Sequence, residues 1–186
     1  MSDIAWRIAL PLLVAMSGLP GSGKSTIARA LASRLPALRW DKDELRHVLF
    51  PPDSVAHDRA LNDFCMELLY TAARQALARS PATAIVLDGR PYMERSQRDR
   101  VREVARECDA ALVFIHCTAP MAILRARVRD DAHPAPDRDE SLIRRLAAVA
   151  DGPDDDAITI DTATCEPLQA VTRCIEALAA RGLISR

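Results

Sequence analysis

Short apolar runs alternate along the chain with segments whose apolar positions recur every three or four residues. The runs are Leu12-Leu13-Val14-Ala15-Met16, Ala37-Leu38-Arg39-Trp40, Ala84-Ile85-Val86-Leu87-Asp88, Ala111-Leu112-Val113-Phe114-Ile115-His116-Cys117 and Ala157-Ile158-Thr159-Ile160-Asp161. Runs of this length without polar alternation suit strands buried on both faces. Between them the spacing predicts helices. Ile27, Leu31 and Leu35 line one over residues 24–35, which Pro36 stops. A short helix opens at Asp41-Lys42-Asp43-Glu44, where acidic residues suit an N-terminus, and Phe50-Pro51-Pro52-Asp53 breaks it. Leu61, Phe64, Leu68, Leu69, Ala72, Ala76 and Leu77 share a face of a helix from His57 to Arg79, ended by Ser80-Pro81. Further helices are predicted from Met93 to Cys108, Met121 to Arg129, Ser141 to Val149 and Pro167 to Ala180, with a polar, proline-bearing loop over 130–140 and a turn over 151–156. Strands alternating with helices imply parallel βαβ units with right-handed crossovers. The expected product is a three-layer α/β/α sandwich around a five-stranded parallel sheet.

At 186 residues the chain is expected to form one domain, over 1–186. It is 49% hydrophobic and lacks low-complexity blocks, which excludes a disordered class. A formal net charge of −1 argues against broad binding to duplex nucleic acid, though a local basic groove stays open. Lys24 and Lys42 are the only lysines, so nearly every cation is arginine. The five cysteines form no C-x-x-C pair and fall mostly in apolar runs, as expected for reduced thiols in the cytoplasm. The histidines show no metal-ligand spacing. The apolar stretch from Ile8 to Met16 reads as a strand rather than a signal peptide. No stretch approaches the ~20 apolar residues of a membrane span.

Chemistry enters with Gly18-Leu19-Pro20-Gly21-Ser22-Gly23-Lys24-Ser25-Thr26. It fits G-x-x-x-x-G-K-[ST] between an apolar strand and a helix, the setting of a phosphate-binding P-loop. Gly18, Gly21 and Gly23 permit the turns that aim the backbone N–H groups of this loop, Ser22 included, at phosphate oxygens. Lys24 adds a point charge toward the β- and γ-phosphates, the Ser25 hydroxyl can ligate Mg²⁺, and the helix opening at Lys24 to Thr26 presents its positive end. The nucleotide is read as ATP; no N-K-x-D motif for reading guanine is present.

Residues just past other strands should converge on this loop, because ligands collect at the carboxyl ends of parallel strands. Asp88 ends an apolar strand as a Walker B carboxylate would and can hold Mg²⁺; the competing reading is a strand-end aspartate capping a turn. Asp43 and Arg46 lie three residues apart on one helix face. Asp43 can accept a proton from an acceptor hydroxyl and Arg46 can hold an anion; alternatively they are a helix cap and a solvated arginine. Asp41 is a rival base or acceptor-binding group, and Arg90 faces the expected acceptor side. The Arg- and Glu-rich helix behind Arg90 reads as a salt-bridged solvated face, with Arg98 the member placed to reach substrate. Arg125, Arg127 and Arg129 precede the 130–140 loop, so a lid over about 125–140 is expected. Alternate positions cannot share a helix face, which puts Arg125 and Arg129 first as catalytic arginines.

These motifs, with Asp88-Gly89-Arg90 and Cys117-Thr118-Ala119-Pro120, resemble the small P-loop kinases of the AAA-type ATP-binding or zeta toxin-like group. That group includes polynucleotide kinase-, chloramphenicol phosphotransferase-, gluconate kinase- and adenylylsulfate kinase-like proteins. The resemblance implies a P-loop NTPase fold and transfer of the γ-phosphoryl group of ATP, with Mg²⁺, to a hydroxyl. A small-molecule acceptor is favoured, an oligonucleotide 5′ end is the variant, and no membrane is involved. By resemblance Asp43 is the base and Arg46 its arginine partner, and lid arginines map onto 125–129. Asp88-Gly89-Arg90 departs from the common D-x-T or D-x-N pattern. Two further readings remain: a nucleoside-monophosphate kinase, and a nucleotide-binding switch or NTPase acting with a protein partner.

Overall fold

The computed structural model describes residues 6–51, 59–130 and 140–186. Strands β2 (Leu12–Ser17), β3 (Ala37–Asp41), β4 (Ala84–Asp88), β5 (Ala111–Thr118) and β6 (Ile158–Asp161) form one sheet in the order β3-β4-β2-β5-β6, parallel at every pairing. The predicted five-stranded α/β fold is therefore present. Side chains of β2 alternate between two cores, which is why its whole run is apolar. Leu12, Val14 and Met16 pack with α1 (Lys24–Arg34) and α7 (Pro167–Ala180), through Ile27, Leu31, Val171 and Leu178. Leu13 and Ala15 pack with α3 (Arg59–Arg79) and α4 (Arg95–Glu107), through Met66, Tyr70, Val101 and Val104.

The remaining helices cover the carboxyl edge of the sheet: α2 (Lys42–Leu49), α5 (Met121–Asp130) and α6 (Glu140–Ala148). Leu124 and Val128 of α5 meet Ile143 of α6 in a small separate core beside Leu19. The start of the helix predicted from His57, and most of the 130–140 loop, lie outside the described residues.

Two strands escape the periodicity reading. β1 (Arg7–Ile8) pairs antiparallel with β7 (Ile184–Ser185), matching Ile8 to Ile184. Two residues carry no measurable period, yet both isoleucines are buried in the α1–α7 core.

Helix α4 begins at Arg95 rather than at the predicted Met93. Residues 89–94 form a strap across the top of β4. Gly89 has φ +85°, and a Cβ there would lie 2.8 Å from Asp41 Oδ1 and 2.9 Å from the Lys42 nitrogen. Tyr92 takes φ 49°, a left-handed conformation costing on the order of 1 kcal/mol. Its burial holds it there: its ring meets Phe114 edge-on at 5.9 Å and its hydroxyl lies 3.1 Å from that of Tyr70. Arg98 is buried beneath the strap, donating to the Tyr92 and Met93 carbonyls at 3.1 and 3.0 Å and pairing with Asp154 at 3.1 Å. It braces the strap; it does not line the cleft described below.

Candidate active site

The carboxyl ends of the strands open into a cleft of about 810 Å³, within the roughly 300–1,000 Å³ typical of small-molecule sites. Its floor on one side is the glycine loop between β2 and α1. Gly18 has φ +131°, and a Cβ there would stand 2.2 Å from the Cys117 carbonyl oxygen. Only glycine lets the loop press that closely on β5. Gly21, Gly23, Lys24, Ser25 and Thr26 line the cleft, whereas Gly18 and Ser22 are buried and do not. The Ser22 hydroxyl is buried, and its carbonyl accepts from Thr162 at 3.0 Å.

Behind the loop, Ser25 Oγ donates to Asp88 Oδ1 at 3.1 Å. Asp88 is fully buried, and burial, with the Asp41 charge added, pushes its carboxyl above the ordinary value against the pull of Lys24. Among the described residues no group of three or more His, Cys, Asp or Glu forms an all-protein metal site. A hydroxyl and a carboxylate side by side next to a phosphate cradle instead suit Mg²⁺, which takes one or two protein oxygens plus phosphate and water. The donor set at Ser25 and Asp88 fits that ion.

Asp41 ends β3 and caps α2, accepting from the Asp43 and Glu44 nitrogens at 2.7 and 3.3 Å. Sequence reasoning passed over Arg39. Its guanidinium donates to Asp41 at 2.8 Å and Asp88 at 3.2 Å, and also pairs with Glu44. A signal was present: Arg39 precedes Asp41 by two residues in a strand, so both point to one face.

Across from the loop, α2 carries Lys42, Asp43 and Arg46. Lys42 Nζ and Arg46 Nη2 each lie 3.1 Å from Asp43 Oδ1. Arg46 is wholly buried behind Asp43 rather than solvated. Burial pushes the Asp43 carboxyl up, but the charges of Lys42, Arg46 and more distantly Lys24 outweigh it and hold the group below the ordinary aspartate value. Burial lowers Lys42 from its usual range against the pull of Asp43. Asp41, Asp43 and Arg90 all line the cleft. Arg90 pairs with Asp63, and Arg59 beside it pairs with Glu94 at 2.9 Å.

The arginines of α5 divide differently from the helix-face expectation. Arg127 lines the cleft and donates to the Gly21 carbonyl at 3.2 Å and to Thr162 Oγ1 and O, each at 2.9 Å. Arg125 lies 3.8 Å from Glu140, and Arg129 is exposed; neither lines the cleft. Thr162, which no motif marked, ties Arg127, the Ser22 carbonyl and the Thr118 carbonyl together.

The loop and the strap are also joined directly. The Pro91 carbonyl accepts from the Gly18 nitrogen at 2.9 Å and from Ser17 Oγ at 3.0 Å. His116 Nδ1 lies 3.2 Å from Ser17 Oγ. With the Ser17 proton committed to Pro91, Nδ1 is the donor. Burial and the nearby Arg98 lower the imidazole's pKa, consistent with a neutral ring.

A family model described as AAA domain matches residues 13–153, the P-loop and strap included. The chain belongs to the AAA domain family. No curated protein matches its sequence. Among solved structures this AAA domain is similar to a sugar kinase from Janibacter sp. HTCC2649, with TM-score 0.68 and 21% identity over 91% of this chain and 94% of that one. It is also similar to a gluconokinase from Sinorhizobium meliloti 1021, with TM-score 0.66 and 20% identity over 92% and 93%. A hexameric APS kinase from Thiobacillus denitrificans matches with TM-score 0.60 and 23% identity, over 93% of this chain and 29% of that one. At these identities the likeness carries the P-loop kinase fold, not the substrate.

Proposed function

We propose that this AAA domain is a phosphotransferase that moves the γ-phosphoryl group of ATP to a hydroxyl of a small molecule. The observation that carries the reading is Asp43. It is a carboxylate at the cleft wall, 3.1 Å from both Lys42 Nζ and Arg46 Nη2, and these charges, with a smaller contribution from Lys24, hold it below its ordinary pKa. A nucleotide-binding switch needs no such carboxylate in the cleft that holds its phosphate lysine. In this reading the glycine loop and Lys24 hold the β- and γ-phosphates. Ser25 and Asp88 would hold Mg²⁺, which supplies charge neutralisation across those phosphates when bound.

Asp43 receives the acceptor hydroxyl in a hydrogen bond and orients its oxygen toward the γ-phosphorus. The new oxygen–phosphorus bond forms as the bond to the bridging oxygen of ADP breaks, and the hydroxyl proton passes to Asp43. Arg127, at the glycine loop, is the α5 arginine placed to meet charge on the nucleotide. The named activities of the sugar kinase and gluconokinase neighbours support a small hydroxyl acceptor. The described residues hold no helix long and apolar enough to cross a membrane, and the five free cysteines, four of them buried, fit a reducing cytoplasm.

The test is transfer of label from γ-labelled ATP. Lys24→Ala abolishes it, and Asp43→Ala lowers kcat by about 10²-fold or more with ATP affinity kept. Full turnover in Asp43→Ala, with a phosphate-bearing acceptor, would instead favour a nucleoside-monophosphate kinase.

A further inference from the structure

Helix α3 brings Arg59 and Asn62 to the cleft, and the reaction above uses neither; Arg59 is paired with Glu94. Asn62 lines the cleft, and its Oδ1 accepts from Lys42 Nζ at 2.8 Å and from Arg46 Nη1 at 2.9 Å. Ammonium and guanidinium groups only donate. The oxygen end of the amide is therefore fixed toward the two buried cations, and the Nδ2 end is fixed away from them. Turning the amide over would set N–H against N–H and leave buried donors unmet. Among the described residues no acceptor meets Nδ2.

The same two cations hold Asp43 through Oδ1, which is buried, while the Asp43 side chain keeps 25% of its surface exposed. Lys42 and Arg46 thus orient two cleft groups at once: a carboxylate that accepts and an amide nitrogen that donates. No Phe, Tyr or Trp lines the described cleft, so an acceptor base has no ring to stack on.

Resting on the phosphotransfer reading, we infer that Asn62 determines acceptor specificity. Its Nδ2 donates to an oxygen neighbouring the hydroxyl that Asp43 receives, so the acceptor is a non-aromatic polyol or hydroxy acid. A molecule with a lone hydroxyl satisfies Asp43 and leaves Asn62 unpaired.

Label transfer from γ-labelled ATP is measured for D-gluconate, D-ribose, glycerol, adenosine and 1-propanol, with wild type and Asn62→Asp. The variant keeps oxygens for Lys42 and Arg46 and removes the amide N–H groups. The expected result is transfer to gluconate, ribose or glycerol, with KM for that acceptor raised roughly tenfold in Asn62→Asp and KM for ATP within about twofold. Asn62→Ser, which also lacks the amide nitrogen, gives the same comparison should Asn62→Asp not fold. Adenosine or 1-propanol as the best acceptor, or an acceptor KM that does not change in the variant, overturns the Asn62 assignment while phosphotransfer stands. Transfer to none of these compounds by enzyme that binds ATP overturns both.

Discussion

Asp41 and Asp88 stand opposite each other in register at the carboxyl ends of β3 and β4, and Arg39 bonds to both. Neighbouring carboxylates repel, and Asp88 is fully buried. The guanidinium offsets that repulsion and fixes one oxygen of Asp88, leaving the other for Ser25 and the Gly89 nitrogen.

Arg39→Gln is therefore expected to cost about 1–2 kcal/mol in denaturant unfolding and to weaken Mg²⁺-dependent nucleotide binding by roughly tenfold in calorimetry. Unchanged binding would mean that β4 alone positions Asp88.

Asp43 gives a pH-dependent stability with a defined sign. Its folded-state pKa lies below the unfolded value, so its contribution is present above the ordinary aspartate value and is lost as pH falls through the lowered one. Asp43→Asn leaves Lys42 and Arg46 without their shared anion. At neutral pH it is expected to lose on the order of 2 kcal/mol, and the gap from wild type closes under acid. Urea titrations at pH 7 and near pH 3 make the comparison; a gap of the same size at both would exclude the ion pair as its cause.

Arg127 lines the cleft, whereas Arg129 is a solvated helix end. Arg127→Ala removes the bonds to Gly21 and Thr162 and should raise KM for ATP by about tenfold. Arg129→Ala should stay within about twofold, as surface changes do. The opposite ranking would return the lid to the register expected from sequence.

How far the sequence reaches can be judged residue by residue. Leu12–Met16, the glycine loop and Asp88 were legible because each is a local pattern: a run, a spacing, a strand end. The arginines of α5 were only half legible. Leu124 and Val128 mark the buried face of that helix, and Arg127 flanks it on one side while Arg125 and Arg129 flank it on the other. Which flank meets the P-loop depends on how α5 sits over Gly21, a tertiary fact. Asn62 carried no signal, since its hydrogen bonds come from cations 20 and 16 residues away. β1 and β7 join opposite ends of the chain, and neither two-residue strand has a period to read.

The Pro91 carbonyl, bonded by both Ser17 and Gly18, makes the nucleotide loop and the strap bearing Arg90 one mechanical unit. Loading the loop is therefore expected to shift the strap and to produce heterotropic linkage. ATP analogue and acceptor should alter each other's dissociation constants by the same factor, since coupling between two binding sites is reciprocal. Titrating each ligand with and without the other, in both orders, measures that factor, and Ser17→Ala should shrink it.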